Sequence, residues 1–352
     1  MAMALSAATA LTPDAGASSV PERLFEFHGL EVRVGGDWPE IVDEVRRDFA
    51  WFERPGPGAG LPDPIRVHIE RRPPDFDSWG PLESSFVTPR NVVYRHGATS
   101  VVDYFGRALA AYDRAGRTLR IQGEDPHLVH EAAYLFLLST VGEHLDKIGL
   151  PRVHALGLSG GNGAVVILLP AGGGKSTLAL RALRDPGVRI VSEDSPLLDR
   201  EGRLHPFPLR LGINPTDAAS LPAGRVRRIE RMEFHPKLVL DIEGYRAHVD
   251  PEPRPLRHIV IGRRALGVES RLEPLPPRAA LQPLLRECVV GVGLYQGLEF
   301  LLQRGMRDAA GRAGVTAMRA ARCVGALRRA EVSRLILGRD HDRNWELVRG
   351  LL

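Results

Sequence analysis

A glycine-rich loop between an apolar run and a helix-forming segment is the feature that most constrains the fold of this chain. Residues 164–169 are all apolar and have the length of a buried strand, and residues 178–183 favour a helix. Between them, successive glycines allow backbone N–H groups to turn towards an anion, and the helix N-terminus adds partial positive charge. The sequence therefore predicts a phosphate-binding loop. Its predicted nucleotide-binding residues are Gly172, Gly173, Gly174, Lys175, Ser176 and Thr177.

Two residues of this loop have expected roles in nucleotide binding. Lys175 would neutralise the outer phosphates, and the Ser176 hydroxyl would ligate Mg²⁺. The only other lysines of the chain are Lys147 and Lys237, so a lysine at this place is a specific signal. Leu169 stands where the Walker A pattern G-x-x-x-x-G-K-[ST] has its first glycine. The alternative is therefore a glycine-rich turn with an incidental lysine.

Two consecutive carboxylates follow the next apolar run. Residues 188–191 are predicted to form a strand that ends just before Glu193 and Asp194. A right-handed crossover would place this strand beside the strand at 164–169, so that both end at the same edge of the sheet, close to Ser176. One carboxylate can hold Mg²⁺ while the other accepts the proton of an attacking hydroxyl. Which residue has which role stays open, and the alternative is a solvated turn or helix cap.

His154 is predicted to lie at the rim of the phosphate loop. Asn162 and Gly163 are typical of the centre of a hairpin turn, which would pair the two flanking strands and set His154 opposite Ala171. In that position the imidazole can bond a phosphate oxygen or tune the neighbouring carboxylates. A purely structural histidine is the alternative.

The stretch from His154 to Asn214 resembles the catalytic domain of the HPr kinase/phosphorylase family and its HPr-kinase-like relatives, and more distantly PEP carboxykinase. The likeness rests on the spacing from His154 to Lys175, on the acidic pair after the loop helix, and on an arginine-containing segment at 206–213. The resemblance implies an α/β fold with a P-loop kinase core of the HPr kinase/PEP carboxykinase type. It also implies ATP and Mg²⁺ as cofactors and a serine- or threonine-type hydroxyl as the acceptor.

The resemblance covers roughly a third of the chain and makes Arg210 a candidate for contacting the transferred phosphate or the acceptor. An ordinary surface arginine is the alternative. The chain departs from the family at Leu169 and at Glu193, which replaces the first aspartate of the acidic pair. Its N-terminal part does not match that of HPr kinases, so HPr itself is not the expected substrate. The basic run 225–231 is either a lip for an acidic partner or a solvated face.

The patterning along the chain predicts a tail and two folded parts. Residues 1–22 form a disordered tail, 23–123 a small N-terminal α+β module, and 124–352 the HPr-kinase-like P-loop catalytic domain. In the module, a strand is predicted at 24–34 and a helix at 40–52. Short strands predicted at 91–94, 99–104, 108–113 and 118–122 indicate a small antiparallel sheet.

Capping signals and apolar spacing predict the helices of the second part. Asp125 is a predicted N-cap for a helix that continues to about residue 148. A helix is predicted at 278–303 and a second one from there to about residue 329. A strand at 332–337 and a terminal helix from Asp340 complete the pattern.

Composition bounds the compartment and the partners. A net charge of +4 gives a weak field, so nucleic acid is not an expected partner. No apolar run approaches the ~20 residues that span a bilayer, and no basic residue precedes Arg23 as a signal peptide would require, so a cytoplasmic protein is expected. Cys288 and Cys323 are too few for a disulfide framework and predict reduced core thiols.

The leading prediction is an ATP-dependent kinase that phosphorylates a peptide, a small protein or a small metabolite. Its predicted catalytic residues are His154, Lys175, Glu193 and Asp194, and its predicted metal ligands are Ser176, Glu193 and Asp194. The alternative is a nucleotide-binding regulatory module without phosphotransfer, which Leu169 favours because an altered loop can bind without catalysing. The resemblance is compatible with a homo-oligomer, and the sequence does not identify the acceptor.

Overall fold

The chain is a mixed α/β protein that divides into two compact units. The computed structural model describes residues 21–352 except 59, 171, 223, 233–234, 291–297 and 301–305, so most of the predicted tail at 1–22 lies outside the described residues. The first unit contains the chain up to Val141 with Ile229–Lys237 and Gln296–Leu302. The second contains Gly142–Arg228, Leu238–Tyr295 and Gln303–Leu352.

A nine-stranded sheet dominates the described part of the first unit, with the order β3-β1-β2-β4-β9-β8-β7-β6-β5. Its strands are β1 (Arg23–Phe27), β2 (Leu30–Gly36), β3 (Glu53–Arg54), β4 (Ile65–Arg71), β5 (Ser84–Val87), β6 (Val92–His96), β7 (Thr99–Asp103), β8 (Ala108–Asp113) and β9 (Thr118–Gly123). Its helices are α1 (Pro39–Phe49) and α2 (Pro126–Lys147), of which α2 continues past the end of the unit.

The predicted strand at 24–34 is wrong, whereas the antiparallel pairing predicted for the later short strands is confirmed. The stretch expected as one strand is a hairpin of β1 and β2, because His28 and Gly29 take positive φ values of 49° and 87° and reverse the chain. The short strands predicted between residues 91 and 122 are β6 to β9 and pair antiparallel, as predicted. The whole sheet is mixed, because β4 runs parallel to both β2 and β9. The helix α1 between β2 and β4 returns the chain to the starting edge, which a parallel pair requires.

Aromatic packing extends the first unit beyond the expected boundary at residue 123. The rings of Phe49 and Tyr134 lie 5.4 Å apart, and those of Tyr112 and Phe136 lie 4.8 Å apart. These contacts join the first part of α2 to the sheet. The start of α2 is as predicted, because Asp125 Oδ1 accepts two N–H groups of its first turn, at 3.0 and 3.2 Å.

The second unit is built on a sheet with the order β12-β10-β11-β18-β14-β13, to which β20 and β19 add beyond β18. Another sheet has the order β15-β17-β16. The strands are β10 (Leu156–Gly160), β11 (Gly163–Leu168), β12 (Arg189–Ser192), β13 (Leu197–Leu198), β14 (Arg203–His205), β15 (Leu211–Ile213), β16 (Val226–Ile229), β17 (Lys237–Leu240), β18 (Arg254–Arg264), β19 (Arg271–Leu275) and β20 (Glu331–Leu337). The helices are α3 (Lys175–Ala182), α4 (Arg278–Leu285), α5 (Met306–Leu327) and α6 (His341–Arg349).

The hairpin of β10 and β11 differs from its prediction by one position. Gly160 pairs with Gly163, so Gly161 and Asn162 form the turn rather than Asn162 and Gly163. Gly163 instead opens β11 with a φ of 122°, a conformation that residues with a side chain rarely adopt. The strand β12 pairs with β10 and not with β11, so its expected place directly beside β11 is wrong. Because β10 is antiparallel to both, β11 and β12 still end at the same edge.

The C-terminal elements follow the prediction except in the middle. The helix predicted at 278–303 ends as α4 at Leu285 and continues as a π-helical turn, Arg286–Val290. Residues 291–297 lie outside the described part of the chain. A π-helical turn is wider than an α-helical turn, so the chain changes direction here instead of continuing as one long α-helix. The strand β20 and the cap of α6 are as predicted, with Asp340 Oδ1 accepting two N–H groups at 3.0 and 2.9 Å.

A buried core joins the sheet of the second unit to α4 and α5. Side chains such as Val166 and Ile259 from the sheet pack with Leu284 and with the two cysteines. Both Cys288 and Cys323 are buried and free, as predicted. Within the described residues, no helix has the length and apolarity that a membrane span requires.

Asp250 is a buried carboxylate that ties β10 to the chain before β18. It accepts hydrogen bonds from Ser159 Oγ (2.6 Å) and Arg254 Nε (2.7 Å). Burial favours the protonated acid, but these hydrogen bonds outweigh burial and lower the pKa of the Asp250 carboxyl below 3.8. A lowered folded-state pKa stabilises the fold above the unfolded pKa, and that stability is lost as pH falls through the folded pKa.

Asp250→Asn is therefore expected to cost about 2 kcal/mol of unfolding free energy at pH 7. The difference from wild type should shrink as pH falls below 3.8, because the unfolded chain then binds a proton at this carboxyl that the folded chain binds only at lower pH. Urea unfolding of both chains between pH 3 and pH 7 measures this difference. A cost that stays constant across the range would contradict an ionised Asp250.

Candidate active site

The phosphate loop predicted from the sequence connects β11 to α3. Gly172 and Gly174 have positive φ values of 69° and 114°, and an added Cβ at either would meet no atom within 4 Å. Glycine is thus required by the backbone, and the space beside both residues is open. The first hydrogen bond of α3 runs from Leu178 N–H to Gly174 O (3.0 Å). The N–H groups of the first helical turn have no carbonyl partner within the helix, as at any helix N-terminus. Ala171 lies outside the described residues.

Leu169, where the Walker A pattern has glycine, directly follows β11 and packs onto the sheet. Its side chain is buried, and it packs over Gly262 of the neighbouring strand β18. A Cβ at Gly262 would clash with Leu169 Cδ2, so the two residues fit as a pair. The departure from the pattern therefore has a packing role, and the open part of the loop begins after Pro170.

Three predicted site residues are in mutual contact. Lys175 Nζ lies 2.8 Å from His154 Nε2 and 3.0 Å from Asp194 Oδ1. His154 Nε2 lies 3.1 Å from the same carboxylate oxygen. The lysine is buried and the histidine largely so, whereas 51% of the Asp194 side chain is exposed. Oδ1 of Asp194 thus contacts two nitrogen groups, on a side chain that is half exposed.

A second contact joins Ser176, which follows Lys175, to Glu193, which precedes Asp194. Ser176 Oγ donates to Glu193 Oε1 at 2.8 Å. Ser176 and Lys175 open α3, and Glu193 and Asp194 follow β12, so two consecutive residues of each element meet. Thr177 is partly exposed in the same helical turn. The shared edge of β11 and β12 therefore brings the loop and the acidic pair together.

Glu287 is a site residue that the sequence analysis missed. Its Oε2 lies 2.8 Å from His154 Nδ1, and its main-chain oxygen accepts the His154 N–H at 3.0 Å. Arg286 binds the other carboxylate oxygen through Nε (2.8 Å) and Nη2 (2.7 Å). The available signal was an acidic residue within an apolar segment, since carboxylates are rarely buried without a partner.

Opposing effects determine the pKa values of His154 and Asp194. Burial disfavours the imidazolium, but hydrogen bonds to the carboxylates of Asp194 and Glu287 outweigh burial and raise the pKa of His154. Desolvation by the surrounding groups likewise favours a protonated Asp194, yet the hydrogen bond with His154 and the charge of Lys175 lower the pKa of its carboxyl. Both shifts favour the charged forms.

The residues present fit a magnesium ion bound together with a nucleotide. Mg²⁺ in nucleotide sites takes one or two protein oxygen ligands and completes its shell with phosphate oxygens and water. The Ser176 hydroxyl and the Glu193 carboxylate supply such oxygens, and they already lie 2.8 Å apart. Among the described residues, no group of three or more His, Cys, Asp and Glu side chains is placed to hold a metal alone.

Arg210, the last predicted site residue, lies on a segment held beside the acidic pair. Ser192, which directly precedes that pair, donates its hydroxyl to Phe207 O at 2.8 Å. Arg210 itself is half-buried and directly precedes β15, which packs against α3. The segment that contains Phe207 and Arg210 therefore lies beside the acidic pair and the loop helix α3.

Two arginines of the basic run at 225–231, Arg225 and Arg227, pair with carboxylates of the second unit. Arg225 pairs with Glu243, and Arg227 Nε lies 2.7 Å from Asp241 Oδ1. Arginines that are already paired attract an acidic partner less strongly than free ones. These pairs argue against a lip for an acidic partner. Only 9% of the Arg227 side chain is exposed, so this residue does not lie on a solvated face either.

Comparisons with known proteins add no family to this geometry. A scan against protein-family models matched none, and a search of curated proteins found no significant match. The chemistry of the site is therefore inferred from the contacts of the chain's own residues.

Proposed function

We propose that this chain is an ATP-dependent kinase with an HPr-kinase-like P-loop core, which transfers the γ-phosphoryl group to a serine- or threonine-type hydroxyl on a peptide, a small protein or a small metabolite. One observation carries the proposal. The lysine and the serine that open the loop helix contact two consecutive carboxylates, Lys175 with Asp194 and Ser176 with Glu193. A loop that only turned the chain would have no need of this pairing.

The loop would bind the triphosphate through its backbone and Lys175. The open space beside Gly172 and Gly174 leaves room for phosphate oxygens at the N-terminus of α3. Lys175 would turn from Asp194 to the outer phosphates when the nucleotide binds. Bound ATP and Mg²⁺ would supply the phosphoryl group and neutralise its charge.

The contacts favour a division of labour between the two carboxylates. Glu193 is 8% exposed and pairs with the hydroxyl that would ligate Mg²⁺, so we assign it to the metal together with Ser176. Asp194 is half exposed and can be reached by an acceptor. We therefore assign it the role of the base that accepts the proton of the attacking hydroxyl. His154, in contact with both Lys175 and Asp194, would add positive charge beside the phosphates, and Arg210 would contact the phosphate or the acceptor.

A nucleotide-binding regulatory module without phosphotransfer is the second candidate. The observation that favours it is the pairing of the Lys175 ammonium with His154 and Asp194, which nucleotide must break. A module of this kind would bind ATP and move the lysine, yet release no phosphate. The two candidates therefore differ in turnover and not in binding.

Incubation with γ-labelled ATP and Mg²⁺ tests the proposal. Acceptors would be free serine, a library of serine- and threonine-containing peptides, and small proteins encoded beside the gene. Lys175→Ala is expected to weaken ATP binding and to abolish label transfer, because the outer phosphates lose their cation. Lys147→Ala is the matched control, since that lysine is 65% exposed and pairs only across one helical turn with Glu143.

Label on a hydroxyl acceptor with wild type and the control, but not with Lys175→Ala, supports the kinase. ATP binding that requires Lys175 but moves no label, to an acceptor or to water, would replace the kinase with the regulatory module. Equal ATP binding by wild type and Lys175→Ala would refute both candidates.

A further inference from the structure

Glu287 is a buried carboxylate that the proposed transfer does not use directly. Burying a carboxylate is costly unless it is paired and hydrogen-bonded. Glu287 meets this requirement with both oxygens, one bonded to His154 Nδ1 and the other to the guanidinium of Arg286. An apolar residue would avoid the cost, so the retained charge points to a role in the site.

The contact between Glu287 and His154 is a double tether. The main-chain bond from His154 N–H to Glu287 O fixes the backbone of the histidine, and the side-chain bond at Nδ1 fixes the ring. With Nδ1 held by Glu287, the opposite nitrogen, Nε2, is directed at Lys175 Nζ and Asp194 Oδ1. The orientation of the imidazole towards the phosphate loop thus depends on Glu287.

The segment that carries Glu287 is itself anchored in the core. It is the π-helical turn Arg286–Val290, a rare form of helix that is frequently found at functional sites. The next residue, Cys288, is buried, and its main-chain oxygen accepts Arg319 Nη1 at 2.6 Å. Arg319 is 2% exposed and binds both oxygens of Asp146, at 2.9 and 2.7 Å. Glu287 therefore projects from a rigid support.

We propose that Glu287 is a positioning residue, which acts through His154 and holds its imidazole where Nε2 meets Lys175 and Asp194. The inference rests on the proposed kinase function, because it assigns Glu287 to that same site. Without the carboxylate, the His154 ring could rotate. Its Nε2 would then no longer be held beside Lys175 and Asp194, which are proposed to act on the transferred phosphate. Small misplacements of this kind cost on the order of 100-fold in rate.

Glu287→Gln and Glu287→Ala test this role. Turnover of Mg·ATP, measured as label transferred to acceptor or released to water, is expected to fall on the order of 10- to 100-fold in kcat for Glu287→Ala. The fall should be smaller for Glu287→Gln, because the amide keeps the volume and one hydrogen bond. KM for ATP should change less than kcat. The matched control is Glu331→Gln, whose carboxylate is exposed and lies 3.8 Å from His258 Nδ1.

The ring nitrogens of His154 give a second readout that needs no turnover. In ¹⁵N-histidine-labelled protein, with His154 assigned by comparison with His154→Gln, both Glu287 variants are expected to shift these signals and Glu331→Gln to leave them in place. Unchanged His154 signals, or shifted signals with unchanged kcat, would overturn the positioning role. Absence of turnover in the wild type would refute the kinase proposal but not the contact between Glu287 and His154. The His154 signals would then decide whether Glu287 orients the ring.

Discussion

Asp194→Asn is expected to lower the kcat of phosphoryl transfer on the order of 10²- to 10⁴-fold while leaving the Mg²⁺ concentration for half-maximal rate unchanged. The amide cannot accept the proton of the attacking hydroxyl. Glu193→Gln is expected to have the complementary effect and to raise the Mg²⁺ requirement, because the oxygen beside the Ser176 hydroxyl loses its charge. Steady-state rates over a Mg²⁺ series at saturating ATP measure both effects.

The control for these variants is Asp199→Asn. Asp199 also bonds a histidine at 2.8 Å, His205, but it lies in the β13–β14 hairpin and contacts none of the predicted site residues. It should keep the wild-type rate and Mg²⁺ requirement. If Asp194→Asn raises the Mg²⁺ requirement and Glu193→Gln does not, Asp194 is the metal ligand and Glu193 the base. No change in either variant would remove both carboxylates from the mechanism.

Arg319→Met is expected to destabilise the second unit by about 3–5 kcal/mol, because it leaves Asp146 as a buried carboxylate without its cation. The guanidinium is 2% exposed and binds both oxygens of Asp146. Replacement of both residues, Arg319→Met with Asp146→Leu, should cost less than the single change, since no unpaired charge remains. The comparison separates the cost of an orphaned charge from the net contribution of the pair.

Urea unfolding followed by tryptophan fluorescence measures this effect in the second unit. Trp345 is the only tryptophan after residue 79, so changing Trp38, Trp51 and Trp79 to Phe leaves a reporter in α6. The control is Arg271→Met, which removes an exposed ion pair with Glu273 and should cost less than about 1 kcal/mol. A double variant less stable than Arg319→Met alone would show that the ion pair itself stabilises the fold.

The centre of the candidate site could be predicted because its signals are local in the sequence. The loop, Lys175 and Ser176 follow one strand, and Glu193 and Asp194 follow another, so strand direction alone brings them to one edge. Glu287 could not be predicted in the same way. It meets His154 across 133 positions of sequence, and its place depends on a π-helical turn that apolar spacing does not reveal.

The errors in the predicted fold have a common physical origin. Apolar patterns indicate where a strand lies but not which strand is its neighbour, so β12 was expected beside β11 although β10 lies between them. For the same reason, the pattern predicts β4 itself but not its parallel pairing with β2 and β9. The hairpin turn was displaced by one position because Asn162, Gly161 and Gly163 all suit a turn, and only the pairing of the strands decides between them.

The contact between Lys175 and Asp194 has a consequence for the order of events in the proposed reaction. In the absence of nucleotide, the oxygen that would accept the hydroxyl proton is occupied by the lysine and by His154. An acceptor that arrived first would meet a base already engaged by two nitrogen groups. Arrival of the triphosphate would draw the lysine away and leave His154 as the nitrogen group in contact with that oxygen. In the proposed reaction, we therefore expect binding of nucleotide before acceptor to be favoured.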